Sequence, residues 1–149
     1  MDARTGIFGD SMIVLRRRLL AQWLALLVPA ALLAGALGSQ HIGGLNPCEM
    51  CYWQRYPHWA AVALAGLSFI LPRRAKLLVA LAALAIAVSG AIGVFHAGVE
   101  LGWWQGLTGC AVTATGATTD ELLKSILATP LIRCDQVQWT FLGLSMAAW

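Results

Sequence analysis

The residues best suited to chemistry lie in one run, Pro47-Cys48-Glu49-Met50-Cys51-Tyr52-Trp53-Gln54-Arg55. Cys48 and Cys51 form a Cys-x-x-Cys pair. Closing so short a loop constrains the unfolded chain little, so the pair would be a weak staple. It suits instead a dithiol that cycles with its disulfide. If Cys51 opens a helix, the helix N-terminus and the guanidinium of Arg55, four residues on, both favour the Cys51 thiolate. That thiolate is the species that exchanges disulfides or donates electrons. Two more cysteines, Cys110 and Cys134, sit in the only long polar stretch. For these two alone, a structural bridge is at least as good a reading as a redox role.

Other cysteine chemistries fit the spacing less well. Structural zinc sites tend to pair Cys-x-x-Cys with a second short-spaced pair. Here Cys110 and Cys134 are 24 residues apart, so the spacing points to no metal site. Covalent haem attachment needs His directly after the second Cys, and residue 52 is Tyr.

The composition says what must position these groups. The chain has 149 residues, 59% apolar and 11% charged, with mean hydropathy +0.72. Soluble domains carry about 25% charged residues, so this is an integral membrane protein. The net charge of +3 is small and comes from loop clusters. It speaks for topology, and no nucleic-acid partner is expected. The expected fold is an all-α helical bundle in a single membrane domain, residues 1–149. Its spans run over about 19–38, 52–71 and 77–98. The purely apolar part of the second, Trp59 to Leu71, is shorter than the roughly 20 residues a bilayer core needs. That span must therefore carry Arg55 and His58 in its outer turns. The apolar run from Leu19 exceeds the roughly 7–15 residues of a signal-peptide core, so it is read as a retained helix. Small residues spaced by four, Ala61/Ala65 and Ala83/Ala87/Ala91, would let helix backbones approach closely.

Arg16, Arg17 and Arg18 precede the first span, and Arg73, Arg74 and Lys76 separate the second from the third. By the positive-inside rule both clusters face the cytoplasm. The loops over about 39–51 and 99–149, with all four cysteines, then face outward into a disulfide-permissive compartment. In the second loop, Thr118 and Glu121 offer a capping box for a short amphipathic helix stopped by Pro130. Val137 to Trp149 suits an interfacial segment or the lead-in to another span.

Depth supplies a further clue. Arg55 lies 18 residues from Arg73 and His96 lies 20 from Lys76, about 27 and 30 Å of helix. The two spans run oppositely, so Arg55 and His96 should reach the same outer level. A lone His at a helix end is more often an interface residue than a catalytic one. With Arg55 and Cys51, however, His96 could line a pocket open to lipid. A thiolate beside donors for carbonyl oxygens at that depth suits a lipid-soluble quinone, and an intramembrane arginine is itself a functional-site signal.

Taken together, Pro47-Cys48-x-x-Cys51 with Arg55, a histidine ending the third span, and Cys110 and Cys134 in the second outer loop resemble the disulfide bond formation protein B (DsbB) family. Cys134-Asp-Gln-Val-Gln-Trp139-Thr-Phe141-Leu142-Gly143-Leu144-Ser-Met146 is similar to that family's loop end. The resemblance implies a bacterial inner-membrane four-helix bundle. It implies an enzyme that reoxidises a periplasmic thioredoxin-fold oxidase (DsbA-like) and passes the electrons to ubiquinone or menaquinone. It also implies roles: Cys110 forms the mixed disulfide with the partner, Cys134 exchanges with Cys48, and Cys51 meets the quinone beside Arg55 and His96. The family's fourth span would follow the Leu-Gly-Leu-x-Met stretch; three spans precede it here. A vitamin K epoxide reductase type of thiol/quinone oxidoreductase is the alternative enzyme, though that family usually keeps its Cys-x-x-Cys after the loop cysteines. A non-enzymatic membrane protein with structural disulfides or a metal site is the alternative from another class.

Overall fold

A computed structural model describes residues 3–107, 118–128 and 133–146. Three long helices come first: α1 (Ala3–His41), α2 (Glu49–Ile70) and α3 (Ala75–Glu100). A short α4 (Thr119–Ala128) and a two-stranded antiparallel hairpin, β1 (Thr140–Phe141) with β2 (Leu144–Ser145), complete the order. Each boundary has a local cause. Leu71 precedes a proline and takes a non-helical conformation (φ −112°, ψ 72°), because the proline ring disfavours a helical residue before it. So α2 ends at Ile70, and Pro72 opens one 3-10 turn over Pro72–Arg74. The far end of α3 is closed by Gly102 (φ 72°). The Gly102 N–H donates to Val99 O at 3.1 Å and the Trp103 N–H to Gly98 O at 2.8 Å. This is a Schellman cap, which needs a left-handed residue at Gly102. The Glu121 N–H donates to Thr118 Oγ1 at 3.3 Å, so the anticipated cap of the amphipathic helix is present.

Two segments are long and apolar enough to cross a membrane: Met12–His41, mean hydropathy 2.0, and Pro72–Glu100, mean hydropathy 2.6. Only 17% and 22% of their most apolar stretches are buried within the molecule. A soluble core helix would be mostly covered; these leave their apolar surface for another apolar medium, as a bilayer provides. The fold class is thus an all-α membrane helical bundle. α2 has the length, 22 residues, but its first half carries Glu49, Gln54, Arg55 and His58.

The chain divides into two compact units. The first comprises residues 1–37 and 55–89. Its centre is Ala61, Ala65 and Ala82, packed with Ala25, Leu26, Leu64, Ala85 and Ile86. Ala61 and Ala65 are fully buried, as the small-residue spacing leads one to expect. The other small-residue stripe is not: Ala83, Ala87 and Ala91 are exposed. Within this unit the buried face of α3 passes through Leu78, Ala82 and Ser89, one residue out of register. Polar bonds explain the rotation. Ser89 Oγ lies 3.0 Å from His58 Nδ1, and burying Ser89 turns Ala83 and Ala87 outward. The Gln22 amide donates to Ser68 O at 2.9 Å and to Ser68 Oγ at 3.1 Å. Arg18 donates to the Pro72 carbonyl. Trp23 packs on Phe69 with ring centroids 5.0 Å apart.

The second unit comprises residues 38–54 and 90–149. Its centre is Cys48, Met50 and Val99, packed with Cys51, Phe95 and Cys134. The Trp104 indole N–H donates to Phe95 O at 2.9 Å, and its ring stacks on Phe95 at 5.5 Å. A β-carbon on Gly98 would lie 2.1 Å from that indole, so only glycine admits the ring. Within the stretch from Val137, the described residues run to Met146. Residues Thr140 to Ser145 form the hairpin, with Leu142 (φ 51°) and Gly143 (φ 82°) at its tip. Two positive φ values are the mark of a tight I′ turn, and a leucine there is an uncommon choice. Trp139 and Phe141 stack at 6.0 Å, and Gln138 donates to Asn46 O at 2.6 Å.

Candidate functional site

Cys48 stands at the very start of α2, and its sulfur takes the place of a helix cap. The Cys51 N–H donates to Cys48 Sγ at 3.3 Å, and the Tyr52 N–H donates to Cys48 O at 3.3 Å. Capping side chains ordinarily satisfy this third-residue N–H with oxygen; here sulfur does it. Cys51 therefore lies in the first turn of the helix and does not open it. The two sulfurs are 3.0 Å apart. Cys48 is buried at 5% exposure, and Cys51 is only partly buried. The hydrogen bond to Cys51, burial, and the neighbouring sulfur's charge push the Cys48 thiol far above the usual thiol range. The two sulfurs share a hydrogen bond in which either can be the donor. Cys51 is the more accessible sulfur of the two.

His96, on the last turns of α3 and 1% exposed, closes the other side of Cys48. Its Nε2 lies 3.6 Å from Cys48 Sγ and 3.2 Å from the Cys134 carbonyl oxygen. Its Nδ1 lies 3.5 Å from Gln54 Oε1, and Glu100 Oε1 is 3.8 Å from Nε2. The ligand atoms of Cys48, His96 and Cys134 all fall within 4.8 Å of one another. Cys134 is brought in by a strand-free segment whose flanking charges satisfy each other. Arg133 Nε donates to Asp135 Oδ1 at 2.8 Å, which holds the Asp135 carboxyl below its ordinary value.

Of the residues marked out by sequence, the second unit joins Cys48, Cys51, Cys134 and His96. Cys110 lies outside the described residues. Arg55 belongs to the first unit, where its guanidinium donates to the Ala36 carbonyl at 3.2 Å.

Comparison with known proteins shows which family the chain belongs to. Residues 17–149 match the family model described as disulfide bond formation protein DsbB. The chain belongs to the DsbB family. It is 36% identical over 134 residues to "Disulfide bond formation protein B" of Marinobacter nauticus, covering 85% of this chain and 79% of that protein. It is 37% identical over 141 residues to the protein of the same name from Polaromonas sp., covering 89% and 80%. The Pasteurella multocida protein of that name is 32% identical, covering 85% and 74%. No solved structure matches.

Within this DsbB-family site, two neighbours of His96 escaped the sequence reading. Glu100 follows His96 by four residues, a spacing that places both on one helix face, so the signal was available. Gln54 was hidden between the more conspicuous Trp53 and Arg55. Its contact with His96 joins residues 42 apart in sequence, which no local pattern reveals.

Proposed function

We propose that this chain is a protein-disulfide:quinone oxidoreductase that reoxidises a DsbA-like, thioredoxin-fold oxidase. The observation that carries it is the gathering of Cys134, Cys48 and Cys51 in one unit of a DsbB-family chain. In the proposed cycle, the reduced partner's thiolate attacks Cys110 of a Cys110–Cys134 disulfide. The partner's second thiolate then resolves the mixed disulfide, and the partner leaves oxidised. Cys110 and Cys134 are now the dithiol. The Cys134 thiolate attacks Cys48 of the Cys48–Cys51 disulfide, and Cys51 leaves as thiolate. Cys110 then attacks Cys134, restoring the loop disulfide and leaving Cys48 and Cys51 reduced. Each cycle moves two electrons and two protons inward.

A membrane quinone would accept those electrons and protons. The residues fit such an acceptor: Cys51 is the more accessible sulfur of the pair, and Tyr52 and Trp53 beside it are exposed aromatic side chains. An acceptor of this kind is also needed energetically. A DsbA-like disulfide, at about −120 mV, is too oxidising for glutathione to regenerate. Arg55 and His96 are assigned to the quinone end from the resemblance and from their depth along α2 and α3. The orientation follows from the Arg16–Arg18 and Arg73–Lys76 clusters: α1, α2 and α3 each cross a bacterial inner membrane, with the cysteine loops in the periplasm.

The test is quinol formation by this chain in lipid, driven by a reduced DsbA-like protein. Turnover that needs all three of chain, partner and quinone supports the assignment; none with any quinone overturns it. Cys134→Ser leaves Cys110 a lone thiol with no loop partner to displace an adduct, so Cys110, attacking the disulfide of the oxidised partner, should accumulate a partner adduct in a non-reducing gel. An adduct that persists in a Cys134→Ser/Cys110→Ser double variant would remove Cys110 from its role.

A further inference from the structure

The sequence argues against zinc because it supplies one short-spaced cysteine pair only. The fold supplies further donors from other elements. Cys48 Sγ, His96 Nε2 and Cys134 Sγ come from the start of α2, the end of α3 and the segment after α4, and they lie within 4.8 Å of one another. Cys51 Sγ, 3.0 Å from Cys48 Sγ, adds a fourth donor. We propose that the fully reduced site is a binding site for a thiophilic divalent cation, Zn²⁺ above all, held by Cys48, Cys51, Cys134 and His96.

Three thiolates and one imidazole are a standard tetrahedral zinc set. Zinc bonds of about 2.3 Å to sulfur and about 2.0–2.1 Å to nitrogen, at tetrahedral angles, put S and N roughly 3.5–3.6 Å apart. The Cys48 Sγ to His96 Nε2 separation is 3.6 Å. The two sulfurs of the Cys-x-x-Cys pair would have to open from 3.0 Å, and Cys51, only partly buried, has room to turn. The surroundings also suit a metal-bound imidazole. Gln54 Oε1 stands 3.5 Å from His96 Nδ1. The metal would displace the contact of Nε2 with the Cys134 carbonyl oxygen, 3.2 Å away, and Gln54 would then accept the proton carried on Nδ1, as the outer-shell partner of a ligating histidine does. Binding moves no electrons: each of the three thiols gives its proton to solvent and its sulfur to the metal. The metal and the disulfides use the same sulfurs, so the oxidised chain is excluded as a host. A bound ion would hold the dithiol reduced and stop exchange. The inference does not depend on which acceptor takes the electrons.

The full chain in lipid, reduced and freed of reductant, would be titrated with Zn²⁺ against a chromophoric chelator, and with Co²⁺ as a spectroscopic probe. The expected result is one equivalent bound, a sulfur-to-cobalt charge-transfer band with intense tetrahedral visible bands, and no binding after oxidation. His96→Ala should weaken binding at least tenfold and change the visible bands. A second measurement needs no variant. Zn²⁺ should slow alkylation of Cys48, Cys51 and Cys134 together, mapped by mass spectrometry, while Cys110 reacts as before. Cys134 alkylated at the same rate with and without Zn²⁺ would overturn the proposal, as would no binding to the reduced chain. Equal affinity in a helical, folded His96→Ala variant would overturn it too, leaving a simple two-sulfur chelate.

Discussion

The unit of residues 1–37 and 55–89 and the unit of residues 38–54 and 90–149 hold together by different means. The first is centred on alanines, with Ala61 and Ala65 at 0% exposure. Its buried polar groups pair with one another, as Gln22 does with Ser68 and His58 with Ser89. In lipid, helices gain little from expelling water, so close backbone approach and such bonds must do the work. The second unit is centred on sulfur: Cys48, Met50, Cys51 and Cys134 around Val99 and Phe95. Thiols pack as small apolar groups until they ionise or oxidise. Reactive groups here serve as core, whereas the first unit places none of its cysteine-free core at chemical risk. The lesson is that the site is not a decoration on the packed scaffold; in the second unit, site and packing are the same atoms.

Substitutions can break or sharpen that contrast. The largest effect is expected from Cys51→Ala, which should reduce quinol formation to background. It also removes the hydrogen bond and charge that hold the Cys48 proton. A raised Cys48 pKa means less thiolate at any given pH; removing its cause lowers the pKa. Cys48 should therefore alkylate at lower pH in the variant than in the reduced parent, and a pH series of alkylation rates checks it. Arg55→Ala comes next. It should cost about tenfold or more in quinone kcat/KM, which is ~1.4 kcal/mol of transition-state binding, with partner capture unchanged. Arg55→Lys should be intermediate, since Lys lacks the planar fork. Quinone-concentration series measure both. Ala65→Leu overfills the alanine core and should lower stability by about 1–3 kcal/mol, read as a fall in thermal midpoint, while Cys48 keeps its alkylation profile. A changed profile would break the contrast. Gln22→Leu should be the mildest, about 0.6 kcal/mol as polar side-chain pairs in membranes average.

Much of this was legible in the chain. Cys48, Cys51 and Cys134 announce themselves by type and spacing, and α1 and α3 by their apolar length. The cap at Thr118 was a local signal, and local signals survive folding. The stripe Ala83/Ala87/Ala91 misled because small-residue spacing identifies a stripe but not which side is covered. The bond from Ser89 to His58 settles that, and it joins residues 31 apart. The hairpin was invisible because Trp139, Phe141, Leu142 and Leu144 read as membrane-seeking, and Leu142 is no turn former. The contact of His96 with the Cys134 backbone spans 38 residues and exists only once the second unit is assembled.

One atom makes two incompatible demands on this molecule. Cys48 Sγ is the anchor of the first turn of α2 and also the sulfur through which exchange is proposed to run. Serine in that place would be the better anchor and would conduct nothing. A Cys48→Ser chain should accordingly tighten the helix start while falling silent as an enzyme. Selection for a rigid scaffold and selection for turnover pull on the same side chain in opposite directions. The sulfur that remains there marks which of the two prevailed.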